Sequence, residues 1–151
     1  MIEKYCGGVL PAVSKDAGLE QALKETVSKA DAAMCALDFQ GGIVAIMDFC
    51  KKVNGYVTEK EPWILAKDPA NKAVLEEVLY NTAESLRALA VLLNPVMPHT
   101  CEILWQSLGA QAVLGDLGAQ PVSGVAQWGQ LPVGAVVTKT PVLFPRLEVT
   151  A

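Results

Sequence analysis

Apolar residues recur at helical spacing along the first two-thirds of the chain and lose that rhythm afterwards. From Leu19 to Leu37 the residues Leu19, Ala22, Leu23, Val27, Ala30, Met34 and Leu37 fall three or four apart, marking one face of an amphipathic helix, while Lys24, Lys29 and Asp31 take other positions. A second pattern, through Phe39, Ile43, Ile46, Met47, Cys50 and Val53, predicts a helix that stops near Asn54-Gly55. Asp68-Pro69 opens what reads as the longest helix, with Val74, Leu75, Val78, Leu79, Leu86, Leu89, Ala90 and Leu93 in phase up to Asn94-Pro95. Met97-Pro98 begins another, carrying Cys101, Ile103, Leu104 and Leu108 to a stop at Gly109, and these last two should pack as antiparallel neighbours.

The connections are equally legible. Met1 to Cys6 reads as the tail of a helix whose front lies outside the chain, stopped by Gly7-Gly8 and followed by a link through Pro11 to Gly18. Tyr56 to Trp63 reads as a junction, because Pro62 disfavours α conformation at Glu61 yet suits the first turn of a short helix through Lys67. Trp63 is thereby placed at a helix start. Beyond Gly109 the glycines and prolines from Gly115 to Pro145 make a turn-rich tail, expected as a small hairpin or extended strap. Trp128, Leu131, Val142, Leu143 and Phe144 give that tail apolar sites for docking. The expected fold is all-α, an antiparallel bundle of about four to five helices over residues 1–109 with an irregular strap over 110–151.

Composition supports helices. Of the 151 residues 52% are hydrophobic and 19% charged, so a real core is possible, and only 6% aromatics favours packed helices over a β-sandwich. The net charge of −4, from 12 basic against 16 acidic residues, excludes general attraction to a polyanion. Any RNA must therefore be met by a local site. Cys6, Cys35, Cys50 and Cys101 form no Cys-x-x-Cys pair, and the single histidine, His99, leaves no zinc spacing. With no apolar leader at the first residues and no apolar run long enough to span a bilayer, a reduced cytoplasmic protein is expected.

Catalytic candidates are few. His99 follows Pro98 at a helix start without a nucleophile motif, so capping or exposure accounts for it. Glu76, Glu77 and Glu84 sit on a periodic helix and are assigned to its solvated face. Trp105 and Trp128 are assigned to the core and to anchoring the tail. A tryptophan at a helix start, such as Trp63, is by itself usually a core or hinge residue.

Three stretches carry a family resemblance. Asn54-Gly55-Tyr56-Val57 with Glu61-Pro62-Trp63-Ile64-Leu65-Ala66-Lys67 resembles a segment of the methionyl-tRNA synthetases. Leu92-Leu93-Asn94-Pro95-Val96-Met97-Pro98-His99-Thr100, followed by Leu104-Trp105, is similar to a feature shared by class I synthetases for methionine, isoleucine, leucine and valine. Trp128-Gly129-Gln130-Leu131-Pro132, then Pro141-Val142-Leu143-Phe144-Pro145-Arg146-Leu147-Glu148, again resembles the methionyl enzymes. Met1 to Gly8 resembles the tail of that family's first anticodon-domain helix.

The resemblance implies the C-terminal anticodon-binding domain, gripping the anticodon loop of methionine tRNA while a separate catalytic domain of the same polypeptide attaches methionine using ATP with magnesium. No HIGH or KMSKS-like signature occurs here, so this segment alone is expected to be inactive and to hold no cofactor. The strap is expected to dock on the bundle or on the catalytic domain, and neither membrane nor DNA is an expected partner. The family sets a tryptophan, with the proline before it, against the first anticodon base; here these are Pro62 and Trp63. Stacking on an indole is worth about 1–3 kcal/mol per base and tolerates base identity, so backbone groups near Pro62 are expected to read the base edge. The family's further Asn and Arg lie on the helix before the part matching Met1. Lys60, Lys67 and Lys52, with Lys51 and Lys72, flank the junction and could neutralise loop phosphates, although Glu59, Glu61 and Asp68 offset part of that charge. The alternative is a helical protein-interaction module without RNA specificity.

Overall fold

The structure, a computed structural model, describes residues 1–140 and 142–146. Pro141, Leu147 and Glu148 of the closing motif lie outside the described residues. The helices in chain order are α1 (Ile2–Tyr5), α2 (Ala17–Cys35), α3 (Phe39–Lys60), α4 (Pro62–Leu65), α5 (Lys72–Leu93), α6 (Pro98–Ser107), α7 (Ala110–Leu114) and α8 (Val122–Val125). Single 3-10 turns span Pro69–Asn71 and Leu117–Ala119. Among the described residues there is no β-strand, only one antiparallel bridge between Val9 and Val136. The all-α expectation holds, with α2, α3, α5 and α6 as the bundle.

The helices α2 and α3 begin where the sequence supplies a cap. The Asp16 carboxylate accepts from the Leu19 amide at 2.9 Å and opens α2. At the other end Leu37 turns left-handed at φ 60, the Asp38 amide donates to the Ala33 carbonyl at 2.8 Å and the Leu37 amide to Met34 at 3.0 Å. Asp38 then accepts from Gly41 at 2.9 Å and starts α3, so one short corner closes α2 and opens its antiparallel partner. Leu19, Leu23, Val27 and Ala30 of α2 meet the same core as Ile46, Phe49 and Val53 of α3.

Three expectations are corrected. First, α3 does not stop at Asn54-Gly55 but runs on to Lys60. Gly55 faces open space, a mid-helix glycine costs only about 1 kcal/mol, and the packing of Val53 and Tyr56 outweighs that. This also makes α3 and α5 equal at 22 residues, so α5 is not the longest, and it begins at Lys72 behind a 3-10 turn rather than at Asp68. Second, residues 110–125 are neither hairpin nor extended strap but short helical turns, whose Ala110, Leu117 and Val125 join the main core.

Third, Glu84 is not on a solvated face. It is fully buried in α5, one turn from Arg87, which is 1% exposed. Its Oε1 accepts from Arg87 Nε at 2.8 Å and from the amides of Gly129 and Gln130 at 2.9 and 3.1 Å, and its Oε2 from Leu131 N at 3.0 Å. Arg87 Nη2 donates on to the carbonyls of Val125 and Gln127 at 3.3 and 3.2 Å. Tyr80, one turn before Glu84, donates its hydroxyl proton to the Leu131 carbonyl at 3.0 Å. The same helix fixes α2, because Asn81 accepts from Asp16 N at 2.9 Å and donates to Ser14 O at 3.1 Å. Glu76 and Glu77 are only partly exposed, and Glu76 lies 3.7 Å from Lys72.

The remaining strap pairs with the start of the chain. Leu10 N donates to Ala135 O at 3.0 Å, Gly134 N to Leu10 O at 3.0 Å and Val137 N to Gly8 O at 2.8 Å. Gly109, at φ 70, allows this approach: a Cβ there would strike the Val136 carbonyl.

Two outcomes follow from the α5 network. Replacing Glu84 by alanine strands a buried guanidinium and frees three amides, so urea unfolding should show a loss of about 3–5 kcal/mol. Hydrogen exchange at Gly129 to Leu131 should accelerate in the same variant. Burial, and then the nearby Asp16 and Glu77 carboxylates, pushes the Tyr56 phenol from 10.0 to about 12, with Asn81 partly opposing. A raised phenol pKa stabilises the fold below the unfolded value and is lost above it. Stability should therefore fall as pH rises from 10.0 to about 12, and Tyr56→Phe should flatten that fall in pH-dependent thermal melts.

Candidate nucleic-acid interface

The junction between α3 and α4 is built by one residue of unusual backbone. Glu61 sits at φ 44, ψ 57, ends α3 by donating its amide to Val57 O at 3.1 Å, and accepts from Ile64 N at 2.7 Å and Leu65 N at 3.2 Å to begin α4. Proline at the next position cannot continue α3, and its fixed φ suits the first turn of a new helix. The consequence is a division of labour between neighbours. Pro62 is driven into the protein and fully buried, whereas Trp63 emerges with 45% of its surface exposed.

Of the three tryptophans, Trp63 alone is exposed to this degree. Trp105 is fully buried, its indole N–H donating to Gly115 O at 2.9 Å. Trp128 is buried too, with its indole nitrogen lacking a partner among the described residues. Both take the core and anchoring positions expected of them. Ile64, also 45% exposed, extends the apolar platform beside Trp63, and sequence periodicity gave no sign of it.

The lysines divide into engaged and free. Lys51 is tied to Asp48 at 2.8 Å and Lys72 lies 3.7 Å from Glu76, so neither charge is fully available. Lys52, Lys60 and Lys67 are exposed and make no ion pair among the described residues. Lys60 lies over the Tyr56 ring at 5.8 Å from its centre, a cation–π contact at the mouth of the junction. Lys52, Tyr56 and Lys60 share one face of α3 at four-residue spacing, which sets Lys52 about 12 Å from Lys60 along the axis. Lys67 follows α4 directly, its amide donating to Ile64 O at 3.0 Å. Asp68 is occupied in capping the Ala70 amide at 2.9 Å. Lys60 and Lys67 thus bracket Trp63, while Lys52 lies farther back. Neither the contact of Lys60 with Tyr56 nor the left-handed Glu61 was read from the sequence, the first because α3 was expected to stop at Asn54-Gly55 and the second because residue identity does not favour positive φ there.

His99 is exposed near the start of α6. No group of three or more His, Cys, Asp or Glu side chains among the described residues is placed to hold a metal ion. The four cysteines are free thiols, and no described helix is long and apolar enough to cross a membrane. A concavity of about 760 Å³ lies away from Trp63, lined by apolar residues of α5 and α6 such as Leu86, Leu89 and Leu104, with Ile2, Leu143 and Phe144.

Comparison with known proteins bears on this arrangement. The anticodon-binding domain of tRNA ligases matches residues 16–128. The methionine–tRNA ligase of Streptomyces coelicolor is 56% identical over 98% of this chain and 29% of that enzyme. Among solved structures, the apo methionyl-tRNA synthetase of Mycobacterium tuberculosis superposes with a TM-score of 0.81 at 24% identity, over 99% of this chain and 30% of that one, a likeness of fold. The same organism's enzyme in complex with methionyl-adenylate gives 0.75 at 25% identity, over 97% of this chain and 28% of that one. The chain thus spans less than a third of the length of these relatives. With the helical architecture and three-quarters of its length matched, the chain belongs to the family of anticodon-binding domains of tRNA ligases.

Proposed function

We propose that this domain reads the anticodon of methionine tRNA on behalf of a methionine–tRNA ligase, with Trp63 as the platform for the first anticodon base. The observation that carries this is the exposed indole, set immediately after a buried proline. An unpaired base has an apolar face and a polar edge. Trp63 and Ile64 offer an apolar surface for the face, and the backbone of the Pro62 turn offers polar groups for the edge. Lys60 and Lys67 neutralise backbone phosphates on either side, and Lys52 extends that positive stripe along α3. An overall charge of −4 keeps non-specific RNA binding weak, so affinity depends on this local patch.

The Streptomyces coelicolor relative supports the methionine assignment, and the adenylate bound to the Mycobacterium tuberculosis enzyme supports the use of ATP by the complete protein. ATP and magnesium belong, on this proposal, to the catalytic domain, and the complete enzyme works in the cytoplasm. The segment after α8 acts as a strap, with the exposed Val142 and Phe144 facing the catalytic domain. No observation favours a protein-interaction module over RNA recognition.

Titrating the chain with a methionine tRNA anticodon stem-loop should quench tryptophan fluorescence, since the other two indoles are buried. Trp63→Ala should weaken binding by about 1–3 kcal/mol. Changing the first anticodon base should weaken it as well. Lys60→Ala should lower the slope of log K against log salt by about 0.7 for one lost phosphate contact. Equal affinity for the parent chain, Trp63→Ala and the altered stem-loop would remove specific recognition at this site.

A further inference from the structure

Two non-glycine residues among the described residues adopt positive φ, Leu37 and Glu61. The left-handed region disfavours side chains with a Cβ, so each occurrence asks what holds it. At Leu37 the answer is local: the turn completes the hydrogen-bonded end of α2 and delivers Asp38 as the cap of α3. Glu61 serves a different end. Its amide closes α3 and its carbonyl takes two amides of α4, so its φ and ψ set the angle between two helices separated by this one residue. Pro62 cannot relax that angle, because it is buried and its own φ is fixed by the ring. Trp63 is the next residue, and its direction out of the protein is inherited from this corner.

We infer that Glu61 is a positioning residue for Trp63, acting through its left-handed backbone and not through its exposed carboxylate. This inference rests on the reading of Trp63 as a base platform. The backbone at residue 61 does not touch the base; it determines whether the indole is offered in a single orientation. A residue that tolerates positive φ preserves the platform whatever its charge. A β-branched residue, which resists positive φ, turns the corner open and misdirects the ring.

The test is a graded series at one position, Glu61→Gly, Glu61→Asn, Glu61→Ala and Glu61→Val, in the full chain labelled with fluorotryptophan. Fluorine NMR of the free protein gives one resonance per tryptophan, so unchanged signals from Trp105 and Trp128 report an intact fold while the Trp63 signal reports the platform. Displacement or broadening of the Trp63 signal should grow from asparagine through alanine to valine, in the order of tolerance for positive φ. Stem-loop affinity should stay within about threefold of the parent for asparagine and glycine, the scale of added backbone freedom. It should fall about tenfold for valine, the scale of an imposed left-handed strain. Should valine fail to fold, the ordering of the other three still decides. The inference is overturned if valine leaves the Trp63 resonance and affinity unchanged, or if asparagine loses as much as valine, which would assign the effect to the carboxylate. A Trp63→Ala control separates the two levels. If it binds as the parent does, the base-platform reading fails, while the NMR series on the free protein still judges the positioning role.

Discussion

A carboxylate and a guanidinium, both shut away from water, tie the irregular part of this chain to its regular part. Stripping water from two charges is expensive, and mutual attraction alone often fails to offset it. Here the two Glu84 oxygens together accept three amide hydrogens from residues 129–131, Oε1 meets the guanidinium as well, and Arg87 Nη2 donates to the carbonyls at 125 and 127. Apart from Val125 at the end of α8, those backbone groups belong to a stretch with no helix or sheet ladder of its own. The pair therefore replaces secondary structure for the tail, and Trp128 and Leu131 are carried into the core with it. A neutral hydrogen-bonding residue would supply fewer acceptors for the same amides.

The helix that holds this pair also supports the far corner of the domain. Asn81 holds the start of α2, Leu75, Val78 and Leu79 are buried in the first half of α5, and the helix packs against both α3 and α4. A recognition site needs its contact residue held still by groups that never meet the ligand. Under the proposed role Trp63 fits this requirement: the indole stands out while the neighbouring Pro62 is buried, which limits the freedom to be lost on stacking. Lys60, resting on Tyr56, is likewise steadied by its neighbour.

Much of this was open to view in the residues themselves. The bundle followed from apolar periodicity because α2 and α6 bury one face each and begin at a cap or a proline, while α5 keeps the period although its second half is buried all round. The end of α3 was misread because an Asn-Gly pair signals a stop locally, whereas burial of Val53 and Tyr56 acts across helices and leaves no local mark. Glu84 was misread for a related reason. A charged side chain on a periodic helix is normally solvated, and only the tertiary arrival of three amides reverses that. The short turns of 110–125 have too few residues to express a period. Trp63 came from its place in a motif, since spacing alone favours a core role for any tryptophan, and its exposure is a property of the corner at Glu61.

The bridge between Val9 and Val136 has a mechanical consequence. Because residues 8–10 and 134–137 are bonded to each other, a pull applied between these segments is borne by a few backbone hydrogen bonds and bypasses the helices. Such a clasp makes the bundle a closed circuit, hung beside the line of force and not strung along it.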